Sequence, residues 1–448
     1  MNILFVSLGC DKNLADTELM LGLLAEKGYA FTDDPEAADI VVVNTCCFIG
    51  DAKEESINTL LEMAELRGNG RLKALIAAGC LAQRYQEEIR TEIPEVDALI
   101  GTMAIEEIVT AVEKVLSGET AALQSTNHFR PLDVPPPVRR DRVLTTGGHF
   151  AYLKIAEGCD KHCTYCIIPK VRGNYRSIPV EELEEQAGKL AERGVKELIL
   201  VAQETTLYGT DLYGRKSLPQ LLHKLAEIDG IMWIRILYCY PEEITDELLQ
   251  VMAEEPKICH YLDIPIQHAS DHILKRMGRH TSQEELRRKI GRIRELVPDI
   301  CLRTTLISGF PGETQEDFEE LYRFVNEMEF DRLGVFTYSQ EEDTPAAQLP
   351  DQIQDELKEA RRDELMELQQ AIAFEKAEET VGRELWAMVE GRVADEDVYV
   401  ARTYKDAPEV DGMLFLNTTA SLVTGDFVKV LVTDANQYDL IGELVDGS

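Results

Sequence analysis

From Ala151 to about residue 340 the chain repeats one unit six times, a short β-forming apolar run followed by an amphipathic stretch of helical period. The runs are Tyr152–Ile155, Glu197–Ala202, Trp233–Tyr238, Tyr261–Ile266, Leu302–Ser308 and Leu333–Tyr338. Helical stretches such as Val180–Arg193 and Gln315–Met328 separate them. Strands joined through helices cross over and pair in parallel. Six such units fall short of the eight of a full barrel. The spacing therefore predicts a partial (β/α)6, TIM-like barrel, whose chemistry belongs to the loops at the carboxyl ends of its strands.

The same rhythm occupies residues 1–120. Strands are expected over Asn2–Leu8, Asp39–Asn44 and Leu72–Ala78, with helices over Asp16–Lys27 and Ala52–Arg67. This is the pattern of a doubly wound α/β domain. Cys10, Cys46 and Cys80 each stand where one of these strands runs out. Ligand sites of open α/β sheets lie at that address, so the three thiols are expected to share one ligand. Arg130–Arg142 carries four prolines among charges and no hydrophobic period, which reads as an extended linker. Residues 352–380 read as one long helix, with Leu365, Leu368 and Ile372 as its packing stripe. Beyond Val381, short runs between Gly and Asp signals predict a small antiparallel β-barrel or sandwich.

Charge excludes some partners. Lys and Arg number 46 against 82 Asp and Glu, a formal charge of −36. Nucleic-acid binders neutralise phosphates with Lys and Arg, so direct nucleic-acid binding is disfavoured. No apolar run approaches a bilayer span of about 18 residues, and no basic leader precedes Asp11. A cytoplasmic chain is expected. In that compartment grouped cysteines point to metal or catalysis rather than disulfides. Cys239, Cys259 and Cys301 lie in apolar runs and read as small core residues.

The triplet Cys159, Cys163 and Cys166 spaces its thiols C-x3-C-x2-C directly after the first barrel run. Three thiolates can hold three irons of a [4Fe–4S] cubane and leave the fourth open. An open iron can chelate the amino and carboxylate groups of S-adenosylmethionine, and electron transfer then yields a 5′-deoxyadenosyl radical. Structural zinc is the competing reading, but it wants four closed ligands. The nearest fourth candidate, His162, adjoins Cys163, and no second C-x2-C pair follows. A non-enzymatic zinc or iron–sulfur module stays open on these residues alone.

The triplet at the mouth of a six-fold βα domain resembles the radical S-adenosylmethionine superfamily. Gly9–Glu18, Asn44-Thr45-Cys46 and Gly79–Arg84 narrow the resemblance to its methylthiotransferase family. In that family the amino-terminal cysteines hold a second [4Fe–4S] cluster and a TRAM β-barrel closes the chain. The resemblance implies Cys159, Cys163 and Cys166 at the radical-generating cluster and Cys10, Cys46 and Cys80 at the auxiliary one. Cys47 doubles Cys46 and leaves the ligand of that pair open; register with the family motif favours Cys46. The implied cofactors are two [4Fe–4S] clusters and S-adenosylmethionine, which serves as radical source and methyl donor.

Two branches of the family matter, one modifying a transfer-RNA adenosine and the other an aspartate of small-subunit ribosomal protein S twelve. Lys12-Asn13 and the tract Gln203–Tyr213 resemble the ribosomal-protein branch, although Asp11 stands where that branch usually has proline. Residues 381–448 hold five Lys or Arg against thirteen Asp or Glu, a net −8 that suits a basic protein partner better than RNA. Further implied partners are a low-potential electron donor and a sulfur donor. The resemblance also points to Tyr165 beside the adenine and to Gln203 and Glu204 as cofactor contacts. Arg303 and the Ser308–Glu313 turn end the fifth strand, with Arg303 a candidate cofactor contact and glycines that permit close backbone approach to a ligand; His268 ends the fourth and is a candidate for cofactor or substrate, with a core histidine as the alternative. Lys154, Lys161, Lys170, Arg172 and Arg176 are expected to give the cluster mouth local positive charge. The expected divisions are 1–128 for the amino-terminal domain, 129–145 linker, 146–350 barrel, 351–380 connecting helix and 381–448 TRAM-like barrel.

Overall fold

The computed structural model describes residues 1–118, 126–138 and 141–445. Arg139 and Arg140 of the expected linker, residues 119–125 and residues 446–448 lie outside the described residues.

The amino-terminal sheet has five parallel strands: β1 (Asn2–Ser7), β2 (Ala30–Phe31), β3 (Ile40–Thr45), β4 (Ala74–Gly79) and β5 (Ala98–Ile100). Their order is β2-β1-β3-β4-β5. Alternation along β3 shows why both faces are covered. Ile40 and Val42 pack with Leu19, Met20 and Leu24 of helix α1 (Asp11–Glu26). Val41 and Val43 pack with Leu60 and Met63 of helix α2 (Gly50–Glu65). β2, an exposed two-residue edge, and β5, three residues long, are the two strands too short to read in the sequence.

A hairpin, β7 (Ala156–Glu157) with β8 (Arg176–Ser177), follows β6 (Phe150–Lys154). The barrel then continues through β9 (Glu197–Val201), β10 (Trp233–Ile236), β11 (Ile258–Asp263), β12 (Cys301–Ser308) and β13 (Arg332–Thr337). β6 and β9 to β13 pair in parallel and in sequence order, an open six-stranded wall. Two strands end earlier than their apolar runs. Tyr238 has φ 59°, a left-handed conformation that closes β10 early. Pro265 has no N–H for the ladder, so the fourth strand runs over Ile258–Asp263 rather than to Ile266.

The tail is a closed barrel of β14 (Glu384–Arg392), β15 (Val398–Thr403), β16 (Leu414–Asn417), β17 (Phe427–Asn436) and β18 (Asp439–Leu444). Closure joins β16 to β18 in parallel; the other pairings are antiparallel. The predicted long helix runs over Asp355–Glu378. The tail plugs the amino-terminal mouth of the open barrel. Met388, Ala407 and Phe427 pack among inward-facing Phe150, Tyr152, Ile199, Trp233, Tyr261 and Cys301. Polar clamps ring that contact: Arg402 donates to Glu197 at 2.8 Å and Arg332 to Asp406 at 2.8 Å, while the Tyr261 hydroxyl donates to Asp411 at 2.7 Å. Part of the tail's acidity is therefore spent on docking. Cys259 and Cys301 are buried in this layer and Cys239 in the barrel core, as small core residues should be. Among the described residues no helix is long and apolar enough to cross a membrane.

Candidate metal centres

Cys10, Cys46 and Cys80 follow β1, β3 and β4, three adjacent strands. Strand order reverses between β1 and β3, which makes this the topological switch point where doubly wound sheets bind ligands. Helix α1 begins at Asp11, five residues before the sequence suggested, so Cys10 stands at its amino end. The Cys10 carbonyl accepts from the Asn13 and Leu14 N–H groups. Cys46 is seated by Ser56, whose hydroxyl accepts from its N–H and donates to its carbonyl, both at 2.9 Å. A Cβ on Gly9 would lie 3.0 Å from the Cys46 sulfur, so Cys46 turns toward the Cys10 loop. Cys47 instead packs among Leu4, Val43 and Leu60 on the α2 side of the sheet. Burial pushes its thiol up to about 12.

Backbone without side chains shapes both centres. Gly79 has φ 89°, and a Cβ there would lie 2.3 Å from Asn44 Oδ1. Gly158 has φ 78°, and a Cβ would lie 2.1 Å from the Asn174 carbonyl oxygen. Cys80 and Cys159 follow these glycines directly. Gly158→Ala is expected to cost at least about 1–3 kcal/mol, read as a lowered thermal midpoint of the purified chain. An unchanged midpoint would contradict the crowding.

The second triplet lies in the loop after β7, at the carboxyl end of the barrel. The Cys159 N–H donates to the Gly173 carbonyl, that of Cys166 to Cys163, and that of Thr164 to Met277. The Cys163 sulfur lies 2.6 Å from the Tyr240 hydroxyl, over whose ring Arg279 stacks at 3.7 Å. Burial pushes the Cys159 thiol up to about 12 and those of Cys80 and Cys166 up as well. Thiols so hard to ionise are poor nucleophiles, and a coordinated metal reverses that preference.

The two centres meet through one buried charge cluster, which sequence reasoning did not assemble. Arg172 donates to Asp16 of α1 at 2.9 Å, to Glu157 at 3.1 Å and to Asn13 Oδ1 at 2.6 Å. Lys154 contacts Asp16 and lies 2.9 Å from Glu157. The Cys80 sulfur is 3.9 Å from Asn13 Oδ1, while Glu157 stands two residues before Cys159. The chain from one triplet to the other is thus Cys80, Asn13, Arg172, Glu157. Adjacent chemistry in sequence gave no sign of it, because Asn13 and Arg172 lie 159 residues apart.

Other expected residues are placed as follows. Gln203 donates to Glu157 at 2.8 Å, leaving its buried oxygen without a partner. Glu204 is fully buried and accepts from the Thr206 N–H at 2.9 Å; its second oxygen is unpartnered, and burial pushes its carboxyl up to about 7. Tyr165 packs edge-on against Phe310. His268 is fully buried: its Nδ1 accepts from the Ser270 N–H at 2.9 Å and its Nε2 stands 3.5 Å from Glu313. Glu313 in turn takes the Gly309 and Phe310 N–H groups and Arg361, which explains the Ser308–Glu313 turn as a core device. The expected cationic mouth is largely spent internally. Lys154 and Arg172 sit in the buried cluster, Lys161 pairs with Glu243, and Lys170 and Arg176 bond backbone carbonyls.

Each triplet offers thiols alone, none of them in a disulfide, close enough to perturb one another's ionisation. Among the described residues no group of three or more His, Cys, Asp or Glu is set to hold a single metal ion. Separate thiols around one loop suit a cluster, in which each thiolate binds its own iron.

Residues 153–325 match the radical SAM superfamily, residues 2–101 the uncharacterized protein family UPF0004 and residues 381–445 the TRAM domain. A relative from Lachnoclostridium phytofermentans, ribosomal protein uS12 methylthiotransferase RimO, is 62% identical over 99% of both chains. The chain belongs to the RimO family. Another RimO, from Clostridioides difficile, is 49% identical over 99% of each chain. Membership makes the chain a radical SAM methylthiotransferase, and the superfamily brings a [4Fe–4S] cluster and S-adenosylmethionine. Among solved structures, the radical S-adenosylmethionine methyltransferase TsrM from Kitasatospora setae is 12% identical, with a TM-score of 0.53, covering 77% of this chain and 73% of that one. That likeness is one of fold.

Proposed function

We propose that this chain inserts sulfur and a methyl group at the β-carbon of an aspartate in ribosomal protein uS12. The observation that carries the reading is full-length identity of 46–62% to relatives named for that reaction. The tail's net charge of −8, from five Lys or Arg against thirteen Asp or Glu, supports a basic protein over an RNA. A cytoplasmic site of action follows from that substrate. An electron donor of low potential and a sulfur donor complete the partners.

Cys159, Cys163 and Cys166 hold the radical-generating cluster in this reading, and Cys10, Cys46 and Cys80 hold a second. Bound there, cluster and S-adenosylmethionine supply the radical chemistry that an unactivated C–H bond requires. Tyr165, Gln203 and Glu204 line the cofactor side, the last two through unpartnered buried oxygens. The Arg172 cluster fixes the separation of the two triplets. The chain divides at about residues 128, 146, 351 and 381 into amino-terminal domain, linker, barrel, connecting helix and tail.

One experiment tests the substrate. Mass spectrometry of uS12 and of transfer-RNA nucleosides, with and without the enzyme, is expected to place the added SCH3 on the protein. A gain on the nucleosides instead overturns the reading. Anaerobic reconstitution should load about eight irons per chain; a value held near four removes the second cluster.

A further inference from the structure

The barrel lumen contains a guanidinium with no hydrogen-bonded partner, although the carboxylates of Asp263 and Asp411 stand near enough to act on it. Leu302 and Leu306 of β12 face the outer helices, so Arg303, between them, faces inward with Cys301. Among the described residues the Arg303 guanidinium makes no hydrogen bond and no ion pair. Other buried arginines of the barrel are all matched: Arg172 with Asp16, Arg235 with Glu197, Arg279 with Glu242 and Arg332 with Asp406. Register sets Arg303 beside Asp263 of β11, yet the two side chains do not bond. Asp263 Oδ2 accepts from the Tyr238 N–H at 3.0 Å, and its buried Oδ1 has no partner.

A second cation that forms no ion pair stands over the Tyr238 ring. The Lys12 ammonium lies 3.1 Å from the centroid of the Tyr238 ring, and among the described residues it has no carboxylate partner. Lys12 follows Cys10 by two residues, so this ammonium rises from the first turn of α1, beside the auxiliary triplet. Four residues further along β12 from Arg303 the lumen is open. Phe336, inward-facing on β13 and paired in register with Ile307, is 53% exposed. Such a wall, with an exposed aromatic ring and two cations that donate to no carboxylate, suits an acidic side chain presented by a protein loop. A guanidinium fork matches a carboxylate in two parallel hydrogen bonds and gains far less from a neutral amide.

Resting on the function proposed above, we infer that Arg303, assisted by Lys12, recognises the carboxylate of the residue to be modified and so selects aspartate over asparagine. The sequence alone suggested a cofactor contact for Arg303, and S-adenosylmethionine also carries a carboxylate. The test separates the two.

Iron–sulfur-loaded enzyme is titrated with uS12 and with uS12 whose target aspartate is changed to asparagine, each in saturating S-adenosylmethionine. Affinity of the enzyme for S-adenosylmethionine is measured separately. Wild-type enzyme is expected to bind the aspartate form about 10-fold or more tightly than the asparagine form, as charge-assisted bonds predict. Arg303→Met should bring that ratio close to one, and Arg303→Lys should restore part of it. Affinity for S-adenosylmethionine should stay within about twofold of wild type. Wild-type enzyme that binds both forms equally overturns the inference without any variant, so a variant that fails to fold does not protect it. A ratio preserved in Arg303→Met overturns it too, and lost affinity for S-adenosylmethionine returns the guanidinium to the cofactor. If wild-type enzyme leaves uS12 unmodified, the functional reading falls first; if it modifies uS12 but ignores the charge, only this inference falls.

Discussion

Arg172→Met is expected to lower stability by about 3–5 kcal/mol at neutral pH, the usual result of removing one partner from a buried ion cluster. Arg172 is 2% exposed and bridges Asp16 and Glu157, which Lys154 alone would then have to balance. Burial drives the Glu157 carboxyl upward, yet Arg172 and Lys154 hold it at about 2. A depressed carboxyl stabilises the fold above its unfolded value, about 4.3, and loses that contribution as pH falls through its folded value. Wild type therefore keeps this term down to strongly acid pH. The variant should lose it at higher pH, since burial then acts with less opposition. Urea unfolding at several pH values measures both effects; a loss under about 1 kcal/mol would show that the cluster is not cooperative.

Complete loss of 5′-deoxyadenosine is expected when Cys159, Cys163 and Cys166 are replaced by alanine. These thiols sit in one loop fixed by backbone bonds to Gly173 and Met277, so no neighbouring cysteine can replace them. Replacing Cys10, Cys46 and Cys80 should spare cofactor cleavage and stop methylthiolation. Cys47→Ser should behave as wild type in both assays, because Cys46 is the member of the pair that turns toward the Cys10 loop. High-performance chromatography of the nucleoside and mass spectrometry of uS12 read the two halves separately. Cleavage surviving in the first triple variant would refute the radical assignment; methylthiolation surviving in the second would refute the auxiliary one.

Much of this molecule was legible because its information is local. An unbroken apolar run announces β3, period-3.6 spacing announces the helix Gln315–Met328, and a Gly-Cys step at a strand end announces Cys10, Cys80 and Cys159. Strand ends were less legible. Tyr238 closes β10 through a left-handed φ that a tyrosine does not advertise. Least legible were contacts made at a distance. Lys154 and Arg172 read as surface charge near a cluster, whereas folding buries them against Asp16, well over a hundred residues earlier. The tail's acidity likewise read as charge for a basic partner, yet Asp406 and Asp411 face the barrel and Arg332. Charge in a sequence carries no mark of the partner that will neutralise it.

The tail's position has a consequence for biosynthesis. Chains emerge amino end first, and early segments fold before later ones exist. Phe150, Trp233 and Tyr261 line a barrel mouth that Met388, Ala407 and Phe427 of the tail cover. Until the tail has left the ribosome, that apolar mouth stays open to water and to other nascent chains. Synthesis of the tail, rather than of the barrel itself, sets how long the barrel needs protection from aggregation.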